Sequence, residues 1–243
     1  MKRTNADLHI CIGMDNVDGC SRIIGRASRL GYNLVGVPCQ GLSPKRVQEL
    51  TETCRKNCVD FVSRVDLEPR TPEELLGLLR KVRRKYEVVA VICESKKVAR
   101  QAAKDRRVDL LNFPQPDFHR CCFDAAEAEL ASNCLGSLEI DVKPLLVSEG
   151  PARVRLLSNV RRELATALQF DVPVVISSGT SDEMLLRKPR EVAALTSLFD
   201  LTYDQASKAL SHNPDALVKR NRDKLSSGFV APGIRIVRKE RNP

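Results

Sequence analysis

A chain of 243 residues with 42% hydrophobic side chains can bury a substantial core, yet no apolar run approaches the roughly 18–20 residues needed to cross a bilayer. Its formal net charge is +9, and tryptophan is absent, so a polyanionic partner would be held by charge rather than on an aromatic stacking platform. The basic start MKRTNADLHI carries neither a secretory apolar stretch nor a cleavage site, which predicts a cytoplasmic chain with its nine cysteines reduced.

In chain order, β-branched runs alternate with helical ones. Strands are predicted at DLHICIG (7–13), LVGVPC (34–39), VDFVSRVDL (59–67), VVAVICE (88–94), VDLLNF (108–113), SLEIDVKPLL (137–146) and VPVVISS (172–178). Helices are predicted between them at 19–31, 43–57, 71–85, 96–105, 123–133 and 151–170. Ser43-Pro44 and Thr71-Pro72 each set a capping residue before a proline at the first helical position. This alternation implies right-handed βαβ units and a parallel sheet. After the seventh strand, KPREVAALTSLFDL and TYDQASKALSH read as helices. Asn213 is predicted to cap a further one, PDALVKRNRDKL, with Pro214 at its first position. The end, from Ser226, reads as a packed arm with a mobile tail over about 238–243. No linker or internal repeat interrupts the chain, so one domain is expected.

Periodicity within the strands separates an open sheet from a barrel. Ala6, Leu8, Ile10 and Ile12 alternate with Asp7, His9 and Cys11. Leu138, Ile140 and Val142 alternate with Glu139, Asp141 and Lys143, and Arg64 and Asp66 share one side. Central strands of an open parallel sheet are covered on both faces and read as continuously apolar. Strands with one apolar and one charged face fit a TIM-barrel-like closed sheet of about seven strands, packed outside by helices and polar near its mouth.

Positive charge is concentrated. Residues 80–107 hold eleven Lys/Arg against three carboxylates, and residues 219–243 hold eight against two. Either these segments are solvated helix faces or they meet crowded phosphates, in which case binding falls steeply with salt. The turn SSGTSDE (177–183), at the end of a strand, suits a phosphate as well as it suits an ordinary loop. Lys143, Arg187 and Arg190 would gather at the same mouth.

Asp7-Leu-His9 opens like a metal-binding strand, but Cys11 stands where a second histidine is wanted. Only His9, His119 and His212 exist. That is too little imidazole for a two-metal centre, although a single hard ion on carboxylates stays open. No dinucleotide, Walker or nucleophile-elbow pattern is present.

The ordered strings ADLHI, ICES, VDLLNFP, LEIDVKPLL, VPVVISSG, LRKPREVAAL, NPDALVKRNRDKL and FVAPGIRIV resemble the archaeal RNase P protein component 3 family, from residue 6 to about 237. The resemblance implies a TIM-barrel-like protein related to the polymerase-and-histidinol-phosphatase metallohydrolases, with seven or so parallel strands and extra C-terminal helices. It implies a non-catalytic subunit that supports the RNA of ribonuclease P in removing the 5′ leader from precursor tRNA. It also implies a small RRM-like protein as direct partner, beside other RNase P proteins, no membrane, and Mg²⁺ held by the RNA, with no cofactor in this chain. Asp7, His9 and Cys11 then become a vestigial metal frame. The family's RNA-facing basic positions fall on Lys143 and Arg187, and on either His119 or Arg120. Lys219, Arg222 and Lys224 match by position, and Arg100, Arg106 and Arg107 by neighbourhood. The alternative reading is a stand-alone metal-dependent phosphoesterase.

Overall fold

The computed structural model describes residues 4–12, 17–114, 122–231 and 234–235. Seven parallel strands lie side by side in chain order: β1 (Ala6–Asp7), β2 (Leu34–Pro38), β3 (Asp60–Leu67), β4 (Val88–Ile92), β5 (Leu110–Asn112), β6 (Ser137–Asp141) and β7 (Val174–Ser177). Between them run α1 (Val17–Leu30), α2 (Pro44–Lys56), α3 (Pro72–Val82), α4 (Lys96–Ala103), α5 (Ala125–Cys134), α6 (Lys143–Val147) and α7 (Gly150–Gln169). Past their ladder ends the first and last strands meet. Ile10 bridges Thr180 in the parallel sense, Cys11 N–H donates to the Thr180 carbonyl (2.9 Å), and Gly179 N–H donates to the His9 carbonyl (2.9 Å). The sheet is a nearly closed barrel wrapped by helices, as the charged-and-apolar strand faces predict.

The helix starts follow from their caps. Ser43 Oγ accepts the Arg46 N–H and Thr71 Oγ1 accepts the Glu74 N–H, each ahead of a proline. Asp124 and Glu127 form a reciprocal capping box at the start of α5. Outward strand residues such as Val65, Val89, Val91, Leu138 and Ile140 bury against the helices. Inside, Ala6, Leu8, Leu34, Val62, Val88, Ala90, Leu110 and Val175 fill the lower barrel, closed from beneath by Leu217 and Val218.

Several local expectations are corrected. The first strand is a two-residue ladder, because the chain bends at Leu8. Leu8 joins Ala6 inside, whereas Ile10 packs outward with Ile23, Ile24 and Ala27 of α1. The bend is possible because β2 offers Gly36, where a Cβ would come within 2.5 Å of the Leu8 carbonyl oxygen. The sixth strand stops at Asp141, and Lys143–Val147 turns into α6, since Pro144 suits a helix start and cannot donate to a ladder. The helix predicted from Lys188 divides into α8 (Pro189–Leu195) and a 3₁₀ turn (Thr196–Phe199), stopped at Asp200 with φ +63°. Asn213 is not a cap. Helix α9 (Tyr203–Ser207) runs through a π turn (Lys208–His212) into α10 (Asn213–Leu225), and Asn213 itself is helical at φ −65°, ψ −50°. The wider turn accommodates a proline that lacks an N–H, and the Asn213 side chain instead donates to the Val174 carbonyl (2.8 Å). The arm after α10 forms an antiparallel pair, β8 (Phe229–Ala231) with β9 (Ile234–Arg235); the expected mobile tail lies outside the described residues.

Candidate functional site

Active sites of barrels gather at the carboxyl ends of the strands. Here that end holds charged side chains stacked beneath the mouth. Arg64, in the middle of β3, is fully buried and points inward. Its Nη1 and Nη2 donate to Glu139 Oε1 and Oε2 of β6 at 2.5 and 2.6 Å, its Nε donates to Asp66 Oδ1 at 2.7 Å, and Nη1 also donates to the Leu8 carbonyl at 2.9 Å. Glu139 receives two further donors, Ser177 Oγ at 2.8 Å and Asn112 Nδ2 at 3.2 Å. This two-pronged match of guanidinium and carboxylate is the geometry that makes a buried ion pair tolerable.

Above it sits His9. Its Nδ1 lies 3.0 Å from Asp141 Oδ1, and its Nε2 lies 3.5 Å from Asp66 Oδ2 and 3.4 Å from Cys11 Sγ. Burial and the Arg64 charge both oppose a proton on His9, but Asp141 and Asp66 outweigh them and push its pKa well above the ordinary value. Burial works against ionised Asp66 too, yet Arg64 and His9 hold it at about 2. Gly179 crosses the mouth with φ +61°, where a Cβ would lie 2.6 Å from Asp141 Cγ.

Asp7 stands apart from this group. Its Oδ1 accepts the N–H groups of Ser178 (2.9 Å) and His9 (3.2 Å), while its Oδ2 is buried with no hydrogen-bond partner among the described residues. Burial therefore raises its pKa despite those two bonds. Of the expected frame, His9 and Cys11 touch each other, whereas Asp7 meets only the His9 backbone.

The model of the family described as RNase P subunit p30 matches residues 4–226. Ribonuclease P protein component 3 of Methanosarcina barkeri is 33% identical over 225 residues, covering 93% of this chain and 91% of that one. The chain belongs to the RNase P subunit p30 family. A chain in the cryo-EM structure of archaeal Ribonuclease P with mature tRNA shares the fold at TM-score 0.83 and 23% identity, over 98% of this chain and 100% of that one. An organophosphorus hydrolase from Deinococcus radiodurans shares it more distantly, at TM-score 0.57 and 12% identity over 89% and 92% of the two chains.

The imidazole and carboxylates at the mouth raise the matter of a metal ion in this p30-family chain. His9, Glu139 and Asp141 bring ligand atoms within 4.8 Å of one another. They do not fit an ion. Both Glu139 oxygens already accept two donors each, two of them from the Arg64 guanidinium that an ion would have to displace. The Arg64 cation supplies the positive charge that the carboxylates require.

The predicted RNA-facing cations divide between the two ends of the barrel. Lys143, at the start of α6 just after β6, lies at the mouth end, but the expected gathering there does not extend to Arg190, which lines a cleft with Asn5 and Leu30, residues that flank the starts of β1 and β2. Arg187 Nη1 donates to the Met184 and Leu186 carbonyls at 2.7 and 3.1 Å, and Tyr32 Oη donates to its carbonyl at 3.0 Å. His119 and Arg120 lie outside the described residues. Arg100 pairs with Glu127 at 3.3 Å, Arg107 with Asp105 at 2.7 Å and Lys219 with Asp215 at 2.6 Å. Arg222 is held by Asp60 and Glu87 and spans β3 and β4 from beneath. Arg106 and Lys224 lie at the lower end, near Arg83 and Arg220, which the sequence patterns did not single out. Of the thiols, Cys39 and Cys54 are pushed by burial to about 11 and about 12, as structural cysteines would be.

Proposed function

We propose that this chain supports the RNA of ribonuclease P in cutting the 5′ leader from precursor tRNA, with the chemistry carried by that RNA and its Mg²⁺. Ribonuclease P activity is then a property of the whole particle, and the protein contributes fixed cations that neutralise crowded phosphates. The observation that carries this reading is the match to the RNase P subunit p30 family across residues 4–226. The saturated Arg64–Glu139 pair supports it, because a phosphoesterase at this mouth would first have to expel its own guanidinium. No described helix is long and apolar enough to cross a membrane. We place the chain in the cytoplasm, in contact with the RNase P RNA, other RNase P proteins and a small RRM-like subunit as direct partner.

The test is reconstitution with cognate RNA and partner subunits at limiting Mg²⁺. Omitting this chain should lower cleavage; cleavage that is unchanged without it would end the proposal. Lys143, whose ammonium has no ion-pair or hydrogen-bond partner among the described residues, is the cleanest mouth cation. Lys143→Ala should weaken RNA binding and flatten its salt dependence. Arg187→Ala removes a charge but also the Met184 and Leu186 carbonyl contacts, so Arg187→Lys is the better comparison.

A further inference from the structure

The lower end of the barrel carries a second concentration of charge, assembled from segments far apart in the chain. Asp109, just before β5, is fully buried. Its Oδ2 accepts Arg83 Nη1 (3.1 Å) and the Val89 N–H (2.9 Å), and its Oδ1 accepts Arg220 Nη2 (3.2 Å). Asn221 ties the same two guanidinium groups together. Its Oδ1 accepts Arg83 Nη2 at 3.0 Å and Arg220 Nε at 3.4 Å, while its Nδ2 donates to the Glu87 carbonyl at 2.8 Å. Arg220 Nη1 is fixed further on the Leu135 carbonyl at 3.0 Å. Two arginines are thus locked in place around one carboxylate.

Around them stand Arg84, Arg106 and Lys224, for which no carboxylate lies within ion-pair distance among the described residues. Arg83, Arg84 and Lys224 line a cleft of about 570 Å³ together with Leu225, Phe229 and Val230. Burial and the fields of Arg220, Arg83 and Arg106 lower the Lys224 pKa, against the opposing pull of Asp109. The C-terminal ends of α3 and α10 also meet here, and each offers the equivalent of about half a negative charge. Together with Asp109, and with Asp223 in the last turn of α10, that makes about three negative charges against five cations. A fold gains nothing from such an excess, since like charges held together cost stability. Preorganised guanidinium groups do suit phosphate oxygens, which they can clasp with two parallel bonds.

We propose that this cleft at the lower end of the barrel, lined by Arg83, Arg84 and Lys224 with Arg106 and Arg220 close by, is an RNA-backbone site distinct from the mouth. Phosphodiesters sit on the cationic rim, and Phe229 and Val230 offer an apolar surface to a ribose or base. The inference rests on the reading that the chain binds the RNase P RNA, and it adds a second face to that contact.

Arg83 and Arg220 hold the fold together around Asp109, so the test uses the other cations. The full chain carrying Arg84→Ala and Lys224→Ala is titrated with cognate RNase P RNA across a salt series, beside Lys143→Ala and a control that removes the exposed Lys45 and Lys104. The expected result is a loss of about tenfold in affinity near physiological salt. The log–log salt slope should shrink by about 1.4–1.8, the value for two lost phosphate contacts. Arg84→Lys should restore most of its share of the slope. A slope equal to that of the control overturns the proposal, and if Lys143→Ala still weakens binding, the wider RNA reading survives. Loss of a partner subunit with normal RNA affinity would assign the cleft to an acidic protein and also overturn it. If neither Lys143→Ala nor the wild type binds RNA above a charge-matched control, both readings fall together.

Discussion

A guanidinium with no exposure to water persists only where carboxylates and carbonyls take up its donors, and Arg64 meets that condition with Glu139, Asp66 and the Leu8 carbonyl. Removing one member of the set leaves the others charged and dry. Arg64→Met should therefore destabilise the chain by about 3–5 kcal/mol, the usual cost of stranding a buried partner. Adding Glu139→Gln should recover at least half of that, because the stranded charge disappears. Urea denaturation at neutral pH measures both variants, and a single-variant cost below about 1 kcal/mol would contradict the account. The inward aim of Arg64, Asp66, Glu139 and Asp141 was legible in the two-residue period of their strands. Their convergence was not, since β3 and β6 face each other across the barrel and the pair is 75 residues apart in the chain. Asp7 shows the opposite limit. It alternates with the apolar residues as expected, yet the bend at Leu8 removes it from the group that His9 joins.

At the level of elements, helix propensity and caps were readable because they are local. Ser43 and Thr71 act where their patterns put them, whereas Asn213 was misread as a cap because its role depends on a neighbour across the fold. At Pro214 the choice between a fresh cap and a widened turn was settled by Asn213, which is drawn to the Val174 carbonyl 39 residues away. Helix α7 carries a comparable hidden feature. Glu163 is buried against the core, accepts the Phe123 N–H at 3.2 Å, and is pushed by burial to about 8 from an ordinary 4.5. The folded chain thus keeps a proton that the unfolded chain releases above its own pKa. The resulting stabilisation is complete below about pH 4.5 and is lost as the pH climbs to about 8. Each unit in that window corresponds to roughly 1.4 kcal/mol, so this carboxyl lowers stability by a few kcal/mol on the way to pH 8. Glu163→Gln keeps an acceptor for Phe123 and should flatten that decline. Some slope should remain from Glu127, which burial and its bond to Asp124 push to about 7. Denaturation at pH 5, 6.5 and 8 checks this, and a variant that loses stability as steeply as the wild type would refute it.

Across the whole molecule, the barrel separates its positive charge into two faces. Strand direction places Lys143 at the mouth, while α10 crosses the opposite end and brings Lys224 to Arg83, Arg84 and Arg106. The sequence shows the basic segments 80–107 and 219–243 plainly, but not that Arg83 and Arg220 meet on one carboxylate, because nothing local links them. Nor does it show which cations are already committed. Arg222, predicted as an RNA contact, is paired with Asp60 and Glu87. A polyanion that engages both faces must wrap the barrel, and each face then contributes its own counterion release. Sites this far apart with no shared partner should act independently. Combining Lys143→Ala with Lys224→Ala should therefore lower RNA affinity by the product of the two single effects, to within about 0.5 kcal/mol of additivity. Each should separately remove about 0.7–0.9 from the salt slope. The measurement is a double-mutant cycle on binding of the full chain to its RNA. A double variant no weaker than the worse single one would mean that the RNA uses one face at a time, and the wrapped arrangement would be wrong.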